Sequence, residues 1–196
     1  MNRRKLLAIS ALTMLLSGCG PLSNSHPERH AIPTSNHTVQ ELCDSTKQFF
    51  AARAGTDNLK LSAGISGKAL TDKIESGNGC FYEKNDGSAW PSSLGYVTLF
   101  GAIDTGKTLS QPTSTTENYL TKVLTVDSVT VKAATEPLPK GGDSATTLLD
   151  VDLTTSIDGW DGALHFRATE DQTTRDDRTI RAGGQALVDM VRALKA

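Results

Sequence analysis

The spacing of apolar positions changes near residue 80. Ahead of it, Val39, Leu42, Cys43, Phe49, Phe50 and Ala54 recur at three- and four-residue intervals, as on one face of a helix. Thr38 and Glu41 have the form of a capping box, and Gly55 is a natural stop. This spacing predicts a helix over 39–54. A shorter helix around 67–76 is expected to deliver the chain to Cys80. After Cys80, alternation dominates. Strands are expected over 80–84, 94–103, 127–134, 146–157 and 163–169, with turns at Asn85-Asp86-Gly87, Lys140-Gly141-Gly142-Asp143 and Asp158-Gly159-Trp160-Asp161-Gly162. Residues 113–124 are expected to be helical. Ile180, Leu187, Val188, Val191 and Leu194 mark a closing helix, weakened in its first turns by Gly183-Gly184.

These elements predict an α+β domain: an antiparallel sheet of about five strands, with N- and C-terminal helices packed on one face. In the last hairpin, a four-residue loop from Asp158 to Asp161 would pair Ile157 with Gly162. Leu153 would then face Phe166 and Val151 would face Ala168. On the other face Asp152 would meet Arg167 and Thr154 would meet His165.

The first residues carry a different signal. Arg3, Arg4 and Lys5 form a basic segment, and Leu6 to Leu16 an uncharged apolar one. That is the form of a secretory signal, too short to span a membrane. It ends in Leu16-Ser17-Gly18-Cys19, which resembles the lipobox of bacterial lipoproteins. The resemblance implies cleavage before Cys19 and a diacylglycerol on its thiol, and two acyl chains suffice for stable anchoring. The expected organisation is therefore a signal peptide over 1–18, a flexible tether over 19–37 and a single globular domain over 38–196. Asn2 to Leu7 also resembles a twin-arginine export signal, though a generic basic segment is the commoner explanation.

Export changes the rest of the picture. The whole chain has a formal charge of −2, and losing the basic signal makes it more negative. A mildly acidic surface argues against nucleic acid or anionic lipid as a partner. Cys43 and Cys80 then lie in an oxidising compartment and are expected to form a disulfide. The tether holds His26, His30 and His37 among prolines and small polar residues, which suits a solvated linker.

Beyond the signal, the chain resembles small actinobacterial exported lipoproteins of unknown function. The shared features are the tether, Cys43 at the start of the first helix, Cys80 ahead of the aromatic Phe81-Tyr82, a meander of strands and a C-terminal helix. The resemblance implies no catalytic residue.

The candidate chemistry is thin. Gly101, Gly106, Lys107 and Thr108 match the phosphate-loop pattern G-x-x-x-x-G-K-[ST]. A phosphate loop needs a helix to follow, and Pro112 with its Ser/Thr-rich surroundings would break one. Export also removes the segment from cytoplasmic nucleotides, so it is read as a polar turn. His165 has no G-x-S-x-G nucleophile to serve. Asp150 and Asp152 share one face of a strand and are expected to be solvated. No metal set or cofactor is implied. Trp160 on a hairpin tip and Trp90 in a loop are candidate partner contacts; folding back over the sheet is the alternative for each. The expected function is non-enzymatic: a lipid-anchored binding or accessory domain on the extracytoplasmic face of the cell membrane, meeting an envelope protein. The alternative is a carrier of an apolar ligand such as lipid, with a cavity between sheet and helices.

Overall fold

A computed structural model describes residues 35–64, 68–74, 79–85, 93–101 and 118–195. Helix α1 runs Val39–Ala54, and the capping box at its start is complete. Thr38 Oγ1 accepts from the Glu41 N–H, and Glu41 Oε2 accepts from the Thr38 N–H at 2.6 Å. Gly55 closes the helix in the left-handed conformation. The next amides of α1 find partners elsewhere: Val39 N–H donates to the Asp72 carbonyl at 2.9 Å, and Gln40 N–H to that of Leu70 at 2.7 Å. That arrangement replaces the helix expected around 67–76. The described residues 68–74 are turns and a bridge. Their carbonyls satisfy the start of α1 instead of closing a ladder of their own.

The sheet has seven strands, all antiparallel, rather than about five. They are β1 (Leu59–Ala63), β2 (Gly79–Lys84), β3 (Ser93–Gly101), β4 (Leu120–Val126), β5 (Val129–Thr135), β6 (Leu148–Ile157) and β7 (Trp160–Thr169). Their order is β1-β2-β3-β7-β6-β5-β4. Two meanders thus join where β3 meets β7, which makes the last strand central. A π-helical turn, Asp171–Arg175, leads into α2 (Arg178–Leu194).

β1 lies outside the expected strands, although Leu59, Leu61 and Ala63 alternate with Lys60 and Ser62; five residues beside the Gly55 stop of α1 are a short signal. β4 replaces the C-terminal part of the expected helix over 113–124. Leu120, Val123 and Leu124 have helical spacing, but Thr121, Val123, Thr125 and Val126 are β-branched and favour a strand. Asp127 and Ser128, both with positive φ, fold β4 back onto β5 as a two-residue hairpin.

The β6–β7 register also differs from expectation. Ile157 pairs with Trp160 across a two-residue turn, Asp158-Gly159. Both turn residues have positive φ, +50° and +80°, the conformation for which Asp-Gly is suited. The pairing slips by two residues, so every side chain keeps its face and gains a new neighbour. Leu153 faces Leu164, Val151 faces Phe166, Asp152 faces His165 and Asp150 faces Arg167.

Both helices cover one face of the sheet. α1 buries Val39, Leu42, Cys43 and Phe50, and α2 buries Ile180, Leu187, Val188, Met190, Val191 and Leu194. They meet Tyr82, Val97, Leu153, Leu164 and Phe166 from the strands in one cluster. Phe49 of α1 packs edge-on against Phe166, 5.2 Å between ring centres. Gly183 lets α2 approach closely: a Cβ there would lie 2.8 Å from Leu153 and 3.3 Å from both Phe166 and Phe49. The disulfide Cys43–Cys80 pins α1 to β2. Ser35 already belongs to the fold, since its buried hydroxyl donates to the Leu194 carbonyl at 2.7 Å.

Candidate functional site

Among the described residues, the face of the sheet turned away from the helices is the remaining large surface. Strand alternation places Lys60, Ser62, Phe81, Tyr96, Asp152, His165 and Arg167 on it, opposite the core residues between them. Register lines several of these up in one row. Phe81 pairs with Tyr96, Tyr96 with His165, His165 with Asp152, and Asp152 with Ala134.

The row is aromatic at one end and acidic in the middle. The Phe81 and Tyr96 rings are 5.2 Å apart and tilted. The Tyr96 ring stacks on His165 at 4.8 Å, with 16° between planes. His165 Nδ1 donates to Asp152 Oδ1 at 2.8 Å, and Nε2 lies 3.7 Å from Asp150 Oδ1. Arg167 Nε donates to that same Asp150 oxygen at 2.9 Å. His165 is thus fixed in orientation by a carboxylate at one ring nitrogen and a phenol on its face.

Electrostatics over the row are negative. Burial raises the pKa of the Tyr96 phenol, and the charges of Asp152 and Asp150 raise it further. Tyr119, just ahead of β4, is raised by burial and then by Asp150, Glu136 and Asp152. Each carboxylate opposes formation of a second negative charge nearby.

The sequence-derived candidates distribute as follows. Cys43 and Cys80 form the disulfide. Cys19 and Trp90 lie outside the described residues, as do positions 102–108 of the G-K-T motif; Gly101 ends β3, paired with Trp160. Trp160 is 7% exposed and belongs to the core cluster. It is not an exposed anchor: the short Asp158-Gly159 turn places it inside β7, on the helix-covered face. His165 neighbours Asp152 rather than Thr154, and Arg167 pairs with Asp150 rather than Asp152. Phe81, Tyr96 and Tyr119 are not among the site residues expected from sequence. Their signal was present in strand alternation, but only pairing between distant strands assembles the row.

Among the described residues, no group of three or more His, Cys, Asp or Glu side chains is placed to hold a metal ion. No helix among them is long and apolar enough to cross a membrane. A groove of about 270 Å³ opens at the β4 end of the domain, lined by Leu120, Leu138, Leu149 and Ile180 with Glu136 and Glu170 among its polar residues.

No known family model, curated protein or solved structure matches the chain.

Proposed function

We propose that this protein is a lipid-anchored module on the extracytoplasmic face of the cell membrane that binds a partner on the open face of its sheet and performs no chemistry on it. The observation that carries the binding reading is the registered row Phe81–Tyr96–His165–Asp152. An aromatic floor bordered by carboxylates is complementary to a cationic or donor-rich group lying against it. The Tyr96 and Tyr119 phenols are raised first by burial, and Asp150 and Asp152 add to both shifts. The anchored half of the reading rests on the apolar segment and Leu16-Ser17-Gly18-Cys19. The Cys43–Cys80 bridge supports it, since such bridges persist in oxidising compartments.

The apolar-carrier reading has one observation in its favour, the groove lined by Leu120, Leu138, Leu149 and Ile180. Its volume lies at the lower end of ligand pockets. The space between helices and sheet is closed at Gly183, where a single added Cβ would collide with Leu153. A lipid chain has no room there, so the binding module is the preferred reading.

Photo-crosslinking in cells tests the binding half. A benzophenone side chain at Phe81 is expected to capture a partner that one at Ala182, on the exposed side of α2, does not. Adding Tyr96→Ala and Asp152→Ala should abolish the adduct. Equal capture from both faces would refute the proposed surface. Cys19→Ala should move the protein from the membrane to the soluble fraction, and retention on the membrane would refute the anchor.

A further inference from the structure

The two edges of the sheet are built differently. β1 has five residues, and its Lys60 is held by Glu83 of β2 at 2.9 Å. Shortness and charge are the usual protections of a free edge. β4 is the seven-residue run Leu-Thr-Lys-Val-Leu-Thr-Val, with neither proline nor glycine. Leu120 is 55% exposed and Val123 is 67% exposed, the two most exposed large apolar side chains among the described residues. The one charge on the strand, Lys122, pairs with Asp177 of the helix layer at 3.0 Å. It does not guard the edge.

Hairpin geometry determines which backbone groups are free. Val126 and Val129 flank a two-residue turn and so exchange two hydrogen bonds. By alternation, Leu124, Lys122 and Leu120 do the same with Val131, Ala133 and Thr135. Thr121, Val123 and Thr125 therefore turn their N–H and C=O groups away from β5. Among the described residues, no strand or loop pairs with them.

We propose that β4 pairs with β4 of a second copy of this chain, antiparallel, about a twofold axis through Val123. In that register Val123 faces Val123 of the second copy, and Thr121 faces Thr125. Every outward backbone group of these residues is then used, and each pair exchanges two hydrogen bonds. Val–Val and Thr–Thr neighbours are favourable across a strand pair. Lys122 falls opposite Leu124, so like charges stay apart. Centring the axis on Lys122 would oppose two ammonium groups; centring it on Thr121 or Thr125 would leave outward groups unpaired. The Thr-Lys-Val-Leu-Thr segment is thus complementary to itself in one register, as an isologous interface requires. The axis stands perpendicular to the sheet, so the two open faces lie side by side on one continuous surface. A single strand pair buries less than the roughly 1,200 Å² of a standard interface. The dimer is accordingly expected to be concentration-dependent.

Cysteine cross-linking of the full-length chain in membranes of expressing cells tests the register. Facing Cα atoms in a hydrogen-bonded antiparallel pair lie about 5.5 Å apart, within disulfide range. Val123→Cys is expected to give an oxidised dimer on a non-reducing gel, above the background that the native cysteines set in the unmodified chain. Thr125→Cys alone should give none, whereas Thr125→Cys co-expressed with Thr121→Cys should give a mixed dimer. Sedimentation of the purified chain supplies the second measurement. Val123→Lys should raise the dimer dissociation constant at least tenfold while leaving the unfolding midpoint unchanged at dilutions where both proteins are monomers, because the side chain is exposed there. A monomer at all concentrations, equal cross-linking from positions 123 and 125 alone, or a dimer indifferent to Val123→Lys would overturn the proposal.

Discussion

Replacing Tyr82 by phenylalanine removes one oxygen from the centre of the helix–sheet interface. The side chain is fully buried, and its ring stacks on Phe50 at 4.0 Å. The hydroxyl donates to the Cys43 carbonyl at 2.6 Å, which leaves Thr46 Oγ1 to donate to it at 2.7 Å. The Cys43 carbonyl lies within α1 and keeps its helical partner, but the buried Thr46 hydroxyl loses the phenol. A cost of about 1–2 kcal/mol at neutral pH follows. Burial also raises the Tyr82 pKa far above its ordinary value; Asp44 adds to the rise and the Thr46 bond offsets part of it. The folded state therefore keeps this proton after the unfolded chain has lost it at about pH 10. The stability linked to that proton is full below pH 10 and is lost as pH rises. The loss steepens towards about one decade of the folding equilibrium per pH unit and amounts to a few kcal/mol, on the order of 2–3, by pH 12. Tyr82→Phe lacks this loss. Urea unfolding followed at pH 7 and across pH 9–12 should show the variant less stable at neutrality, with a shallower alkaline limb. The two proteins should converge at about pH 11–12. Tyr96 and Tyr119, also raised, steepen the limb equally in both. Equal neutral stabilities together with parallel alkaline limbs would refute a buried, doubly bonded phenol.

Two further predictions concern packing and covalent restraint. Gly183→Ala should destabilise by about 1–3 kcal/mol, because its Cβ would lie 2.8 Å from Leu153. Gly184→Ala meets Val126 at 3.3 Å and gains up to about 1 kcal/mol of helix propensity, so thermal unfolding should rank it clearly above Gly183→Ala. Reducing Cys43–Cys80, which are 37 residues apart, should cost about 4 kcal/mol in the chain-entropy description. Unfolding measured with and without reductant checks this, and an unchanged midpoint would show that the bridge restrains little.

Local chemistry explains which elements could be read from sequence. α1 carries its own start and stop signals, in Thr38, Glu41 and Gly55, and spans the expected 39–54. The apolar stripe of α2 is buried as its spacing implied. Strand segments after Cys80 appear where alternation placed them. The failures fall where short-range preferences were ambiguous. Leu120, Val123 and Leu124 fit a helix until β5 supplies a partner for β4. Residues 70–72 spend their carbonyls on the first amides of α1, a long-range demand that the segment itself does not show. The last hairpin kept its faces but slipped by two residues, because a two-residue Asp-Gly turn and a four-residue loop satisfy the same alternation.

The candidate site shows the same division. Alternation and charge place Phe81, Tyr96, Asp150, Asp152, His165 and Arg167 on polar strand faces, using information held within each segment. Their assembly into one row depends on the β3–β7 pairing, which joins residues about seventy positions apart. The burial of Trp160 was likewise settled by register, since one turn length exposes it and the other places it in the core. Sequence by itself therefore determined α1, α2, the strands β2, β3, β5, β6 and β7, their inward faces and the disulfide pair, because each rests on local periodicity or on compartment chemistry. The order of strands, the place of β4 at one end of that order and the company that His165 keeps were decided by tertiary structure, because backbone pairing is indifferent to side-chain identity until distant segments meet.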